Sequence, residues 1–167
     1  MEKQKGFTLI ELAIVIALLA ILGLGIVTFF TNTFRTWWQT SQQIDAQQKA
    51  RVAMDEMSRN IRQCANPGAI LPAVGASATS IIFVLFDAGG NRNMVYYRGD
   101  SGTGAPDPAG TALYRQVDGV ITTLIPDNLQ NIWFDHESLY VVRIATLTLT
   151  SGGQTITLDK RIRIRNP

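Results

Sequence analysis

One cysteine and one histidine are the only soft metal ligands in 167 residues. The lone Cys64 excludes an intramolecular disulfide framework, so the fold must rest on packing. With His136 as its one companion, no Cys/His zinc spacing can be written and no metal is expected. Proline is missing from the long apolar run near the N-terminus and from Thr31 to Gln63, so no pyrrolidine ring interrupts a helix there. Net charge is scarce as well, at +2 with no dense Lys/Arg run, and nucleic acid is not expected as a partner. The glycine-rich segments lack the Lys-Ser/Thr ending of a phosphate loop, which leaves nucleotide binding unsupported. No cofactor is expected.

What the chain does have is an uneven distribution of apolar residues. From Phe7 to Phe30 the only ionisable side chain is Glu11. A helix of about 24 residues at 1.5 Å rise spans roughly 36 Å, enough to cross a bilayer core. Lys3 and Lys5 precede the run and Arg35 is the first charge after it, so the asymmetry places the N-terminus in the cytoplasm and the body outside. A secretory signal has a shorter apolar region. Gly23-Leu24-Gly25 could pass for its cleavage site, but the run continues through Ile26, Val27, Phe29 and Phe30. Glu11 remains the anomaly, since a charge in hydrocarbon costs roughly 2.5–3.5 kcal/mol and requires a partner.

Lys5-Gly6-Phe7-Thr8-Leu9-Ile10-Glu11, followed by the apolar run, resembles the leader of type IV pilins and of the pseudopilins of type II secretion. The resemblance strictly covers Met1 to about Phe30. It implies that a prepilin peptidase cuts between Gly6 and Phe7 and methylates the new amino terminus. It also implies that Glu11 pairs with the N-terminal amine of a neighbouring subunit, which would supply the partner that the carboxylate needs. Ala13, Ala17, Ala20, Gly23 and Gly25 are small enough for close helix approach in lipid, though ordinary membrane helices carry such residues too.

Beyond the run, Thr31 to Gln63 is rich in Gln, Ala, Arg and Met, which suits a continued helix. Ile44, Ala50, Ala53, Met54, Met57, Ile61 and Cys64 recur largely at spacings of three and four, predicting one apolar stripe buried against a sheet. Trp37 and Trp38 fall where indoles favour the membrane interface, or else pack under the head. Asn66-Pro67-Gly68 ends the helix.

From about Ala69 the period changes. SIIFVLF, NMVYYR, TALYRQV, LQNIWF, YVVRIATLTLT and TITLDKRIRIR are short runs rich in β-branched and aromatic residues, which read as an antiparallel sheet. The stretches 87–93 and 151–154 read as hairpin connections and 99–110 as a flexible surface loop. The predicted fold is therefore α+β, a long N-terminal helix packed on an antiparallel sheet, and the resemblance implies the same pilin-like architecture. The expected division is a leader (1–6), a membrane or filament-core helix (7–30), its amphipathic continuation (31–64) and a β-rich head (65–167).

The chemical candidates are weak. Asp135-His136-Glu137 clusters titratable groups, but neighbours on a strand face opposite sides and no nucleophile is tied to them. Asp87, Asn91 and Asn93 could imitate a calcium loop, yet they miss the EF-hand pattern and turn chemistry accounts for them, as it does for Asp100 and Asp107. Lys160 to Arg165 alternates cations with Ile162 and Ile164, the pattern of a strand with a buried face and a basic solvated one. No enzyme is expected.

Departures from the family narrow the reading. Major type IV pilins usually carry a C-terminal cysteine pair, absent here, so a minor subunit is expected. Ala46 to Gln63 and the terminal Arg165-Asn166 resemble minor pilins of the W type and minor pseudopilins of the J type. The resemblance implies prepilin peptidase, other pilin or pseudopilin subunits, an inner-membrane assembly platform and membrane lipid as partners. It places the chain in the bacterial inner membrane, head in the periplasm, and then in a filament. The competing readings are a bitopic anchored binding protein that does not polymerise, and an exported β-rich domain cut near Gly25.

Overall fold

The computed structural model describes residues 8–87 and 90–165. Among these residues lie one helix, α1 (Leu9–Arg62), a single 3-10 turn (Pro67–Ala69) and eight strands: β1 (Ser77–Ala78), β2 (Ser80–Asp87), β3 (Gly90–Gly99), β4 (Ala112–Val117), β5 (Val120–Ile125), β6 (Leu129–Ser138), β7 (Val141–Ser151) and β8 (Gln154–Arg163). The expected α+β arrangement of a long N-terminal helix on antiparallel strands is observed. The chain separates into two compact units, residues 1–41 and 42–167.

In the first unit every described residue is exposed, and the helix is long and apolar enough to cross a membrane. Four of its threonines find acceptors within the helix itself. Thr28, Thr31, Thr33 and Thr36 donate to the carbonyls of Leu24, Val27, Phe29 and Asn32 at 2.8–2.9 Å, which satisfies each polar group within its own turn.

In the second unit the helix buries Ala46, Ala50, Ala53, Met54, Met57, Ser58 and Ile61. The stripe is the predicted one with a correction at its start. Ile44 is 59% exposed, because it precedes Ala50 by six residues and so lies about 120° round the helix at 100° per residue. Ala46, one turn before Ala50, takes the buried position. Cys64 is buried as expected, but it follows the helix and bridges to Leu85 of β2. Arg59 and Arg62 occupy the last turn of α1, where cations offset the negative end of the helix dipole. Asn66 then accepts a hydrogen bond from Gly68 N (3.1 Å), capping the 3-10 turn that Pro67 opens.

The strands divide into two four-stranded antiparallel sheets, β2-β3-β4-β5 and β1-β6-β7-β8, where the pattern alone suggests one. Both contribute to a single core with α1. Ile81, Phe83, Tyr96, Leu113 and Ile125 from the first sheet meet Ile132, Phe134, Ile144, Leu147 and Ile162 from the second around Met57 and Ile61. β1 and β5 are absent from the sequence reading. β5 could have been found from Asp118-Gly119, a strong two-residue hairpin signal, with both residues at positive φ (49° and 91°) between paired Val117 and Val120. The expected connection at 151–154 is a hairpin of the same kind, Ser151 opposite Gln154 with Gly152 and Gly153 at φ 59° and 78°.

β7 shows how the core tolerates an odd spacing. Val142, Ile144, Leu147 and Leu149 are all buried, yet two residues, Ala145 and Thr146, separate Ile144 from Leu147, and strict alternation would turn one of them outward. The pairing with β8 steps from Ile144↔Lys160 to Leu147↔Leu158, so two residues of β7 oppose one of β8. This bulge, with Thr146 at φ 53°, returns Leu147 to the inner face.

The 99–110 loop, expected to be free, is fastened. The Tyr97 hydroxyl donates to Gly104 O (3.0 Å) and the Tyr114 hydroxyl to Asp100 O (2.9 Å), from two stacked rings. Arg98 Nε also donates to Gly110 O. A Cβ on Gly110 would lie 2.1 Å from Gly99 O, so only glycine fits that crossing.

Candidate functional site

Gly6 and Phe7, at the expected processing site, lie outside the described residues, as do Lys3, Lys5 and Asn166. Glu11 lies in the first turn of α1, where its partner is local. Thr8 immediately precedes the helix, and Glu11 Oε2 accepts hydrogen bonds from Thr8 N (3.0 Å) and Thr8 Oγ1 (3.1 Å). Glu11 N in turn donates to Thr8 Oγ1 (3.3 Å). This is a capping box, in which the side chains of the cap residue and of the third helical residue satisfy each other's backbone N–H groups. The carboxylate also sits at the positive end of the helix dipole. Thr8 is a residue that the sequence reading passed over, although Thr-x-x-Glu ahead of an apolar run is legible as this motif.

The contacts of the small residues leave them available to another chain. A Cβ added at Gly23 or Gly25 would meet nothing within 4 Å, so no packing within the described chain calls for glycine there. Phe29, Phe30 and Phe34 form a run of ring contacts, and Trp37 and Trp38 an edge-to-face pair at 5.7 Å. All five side chains are exposed.

In the head, the titratable triplet of β6 does not converge. His136 is buried, its Nδ1 2.9 Å from Pro72 O, while Glu137 is exposed and paired with Arg161 (2.7 Å). Asp135 lies on the strand face opposite to His136, as alternation requires. Near the β2–β3 and β4–β5 connections, Asp118 Oδ1 accepts from Asn93 N (3.0 Å), which is turn chemistry. Asp100 Oδ1 accepts from Gly102 N, Thr103 N and the Thr103 hydroxyl, and these bonds, led by the Thr103 backbone, hold its carboxyl below the usual range.

A polar network ties α1 to the first sheet. Glu56 receives Arg115 Nη1 at 2.8 Å, and the Tyr96 hydroxyl accepts from Asn60 Nδ2 at 2.6 Å while lying 3.4 Å from Glu56. Burial, more than any neighbouring charge, pushes the Tyr96 hydroxyl well above its ordinary pKa, so it stays protonated. These contacts align the helix on the sheet and offer no open reaction site.

A family model for the prokaryotic N-terminal methylation motif matches residues 1–27. No curated protein and no solved structure matches the chain. The motif and the long apolar helix behind it support a type IV pilin-like precursor with a transmembrane helix, of the kind processed by prepilin peptidase.

Proposed function

We propose that this chain is a non-enzymatic minor subunit, a minor pilin or pseudopilin, of a type IV pilus or a type II secretion-like filament. Residues 1–6 are removed by prepilin peptidase, Phe7 becomes the methylated terminus, and the helix anchors the protein in the inner membrane with the head in the periplasm. Assembly follows when the 7–30 segments of several subunits bundle. The observation that carries this reading is the methylation motif over residues 1–27 leading directly into an exposed apolar helix that holds a carboxylate in its first turn. The W-type or J-type assignment rests on the resemblance of Ala46 to Gln63 and Arg165-Asn166.

The capping box suggests what Glu11 does before and after assembly. In a single subunit, Thr8 satisfies part of the carboxylate's hydrogen-bonding capacity, lowering the cost of holding it near hydrocarbon. In a filament, the amine of another subunit completes its neutralisation. Small residues at Ala13, Ala17, Ala20, Gly23 and Gly25 then permit close backbone approach.

The test is the mass and sequence of the mature N-terminus, taken from membranes of the native host. A chain beginning at methylated Phe7 is expected. An intact Met1 would replace this reading with a bitopic anchor whose head binds a partner without polymerising, and a start at Ile26 would replace it with an exported domain.

A further inference from the structure

The basic side chains of the head are not evenly used. Lys49, Arg115, Arg143, Lys160 and Arg161 pair with Asp45, Glu56, Asp159, Asp55 and Glu137, and Arg98 is hydrogen-bonded to Gly110. Among the described residues Arg51, Arg59, Arg62, Arg163 and Arg165 form no ion pair or side-chain hydrogen bond. Four of these five gather in one place. Arg62, Arg163 and Arg165 line an open cleft of about 740 Å³ together with Tyr140 and Ile164. An adjoining cleft shares Arg62 and Arg165 and adds Arg59, Lys160 and Asp55. The described lining of the two thus holds five cations against one carboxylate, already taken by Lys160 at 2.8 Å, while the whole chain nets only +2.

The helix dipole accounts for Arg59 and Arg62 but not for the other two. Arg163 and Arg165 come from β8 and the residues just after it, on the side opposite to buried Ile162 and Ile164. Backbone bonds hold the arrangement: Arg165 N donates to Arg62 O (3.2 Å), and Ile164 N to Tyr140 O (2.9 Å). The residues that carry these cations are therefore gathered around one cleft by main-chain geometry, and like charges lining one cleft repel unless an anion joins them.

The chemistry favours carboxylates presented on a peptide. Planar guanidinium forks match carboxylates two bonds at a time, and a cleft of this size takes more than a single small ion. A single-stranded nucleic acid would call for a groove that tracks its backbone, with aromatic rings at successive bases. Here the cations sit in one compact cluster, and Tyr140 is the only aromatic residue in the described lining. We propose that this cleft docks an acidic segment of a partner protein, whose neighbouring carboxylates are taken by Arg62, Arg163 and Arg165. The site stands independently of the filament reading.

The test uses the full chain in detergent micelles and a fluorescein-labelled oligoglutamate peptide, followed by anisotropy. Binding is expected at low salt and should fade as ionic strength rises. R163E/R165E should weaken it by at least about tenfold, whereas R51E should leave it unchanged. R163Q, which only removes a charge from the outer face of β8, should give a smaller loss with an unaltered melting temperature. Absence of oligoglutamate binding at low salt, an equal loss in R51E, or tighter binding of an oligodeoxythymidylate of matched charge would each overturn the proposal.

Discussion

Glu11 has two possible duties, and one atom-level substitution separates them. A capping box accepts Gln in place of Glu, because either side chain can reach back to the N–H of the cap residue. Pairing with an amine in an apolar bundle needs the negative charge. Glu11→Gln should therefore insert, be cleaved and keep its helix, yet enter filaments poorly, as should Glu11→Ala. Normal incorporation of the Gln variant, read by immunoblot of sheared filaments against membranes, would reduce Glu11 to a cap. Thr8→Ala tests the other half. It keeps the charge and removes the hydroxyl that Glu11 N and Oε2 both contact, at a local cost of about 1 kcal/mol, and should impair incorporation less than either Glu11 variant.

Among the elements, α1 carries the head's packing through a narrow strip. Met57 and Ile61 are fully buried in the core shared with both sheets, and Ala50 and Ala53 are buried along the same stripe. Met57→Ala should cost about 2–5 kcal/mol, since it leaves a cavity that the sheets cannot easily close. A thermal melt followed by circular dichroism measures the loss, and a change under about 1 kcal/mol would show that the helix contributes little to the core. The helix and its buried stripe were legible in the sequence because a 3.6-residue period repeats over several turns. Most strands were legible as well, but their grouping was not. Ser77-Ala78 is too short to carry a period, and Val120 to Thr123 is exposed, so β5 lacks the alternation that would announce it.

For the whole molecule, surface carboxylates set the response to acid. A hydrogen bond from Arg143 holds Asp159 below its ordinary pKa, one from Lys160 does the same for Asp55, and the Thr103 backbone does so for Asp100. In each case the unfolded chain takes up a proton more readily than the folded one. The stabilisation is thus complete at neutral pH, begins to fade near pH ~5 and is lost as the pH falls through the lower folded values. The melting temperature should be level from neutral pH to that point and drop below it, and Asp159→Asn should make the acid limb shallower. The Asp159 contribution should stay under about 1 kcal/mol, since water screens a pair this exposed. Superimposed acid limbs for the variant and the parent would rule out this assignment.

The sequence by itself determined the membrane-length helix, the methylation motif, the amphipathic stripe from Ala50 to Ile61 and the β-rich character of the head. These are local properties, set by residue type and by spacing within one element. Only the tertiary structure decided that the strands form two sheets around one core, that a bulge returns Leu147 to the interior, that Tyr97 and Tyr114 fasten the 99–110 loop, and that Arg62 meets Arg163 and Arg165. Each of these depends on which distant segments become neighbours. That choice follows from closing one apolar core around α1, and no single stretch of chain encodes it.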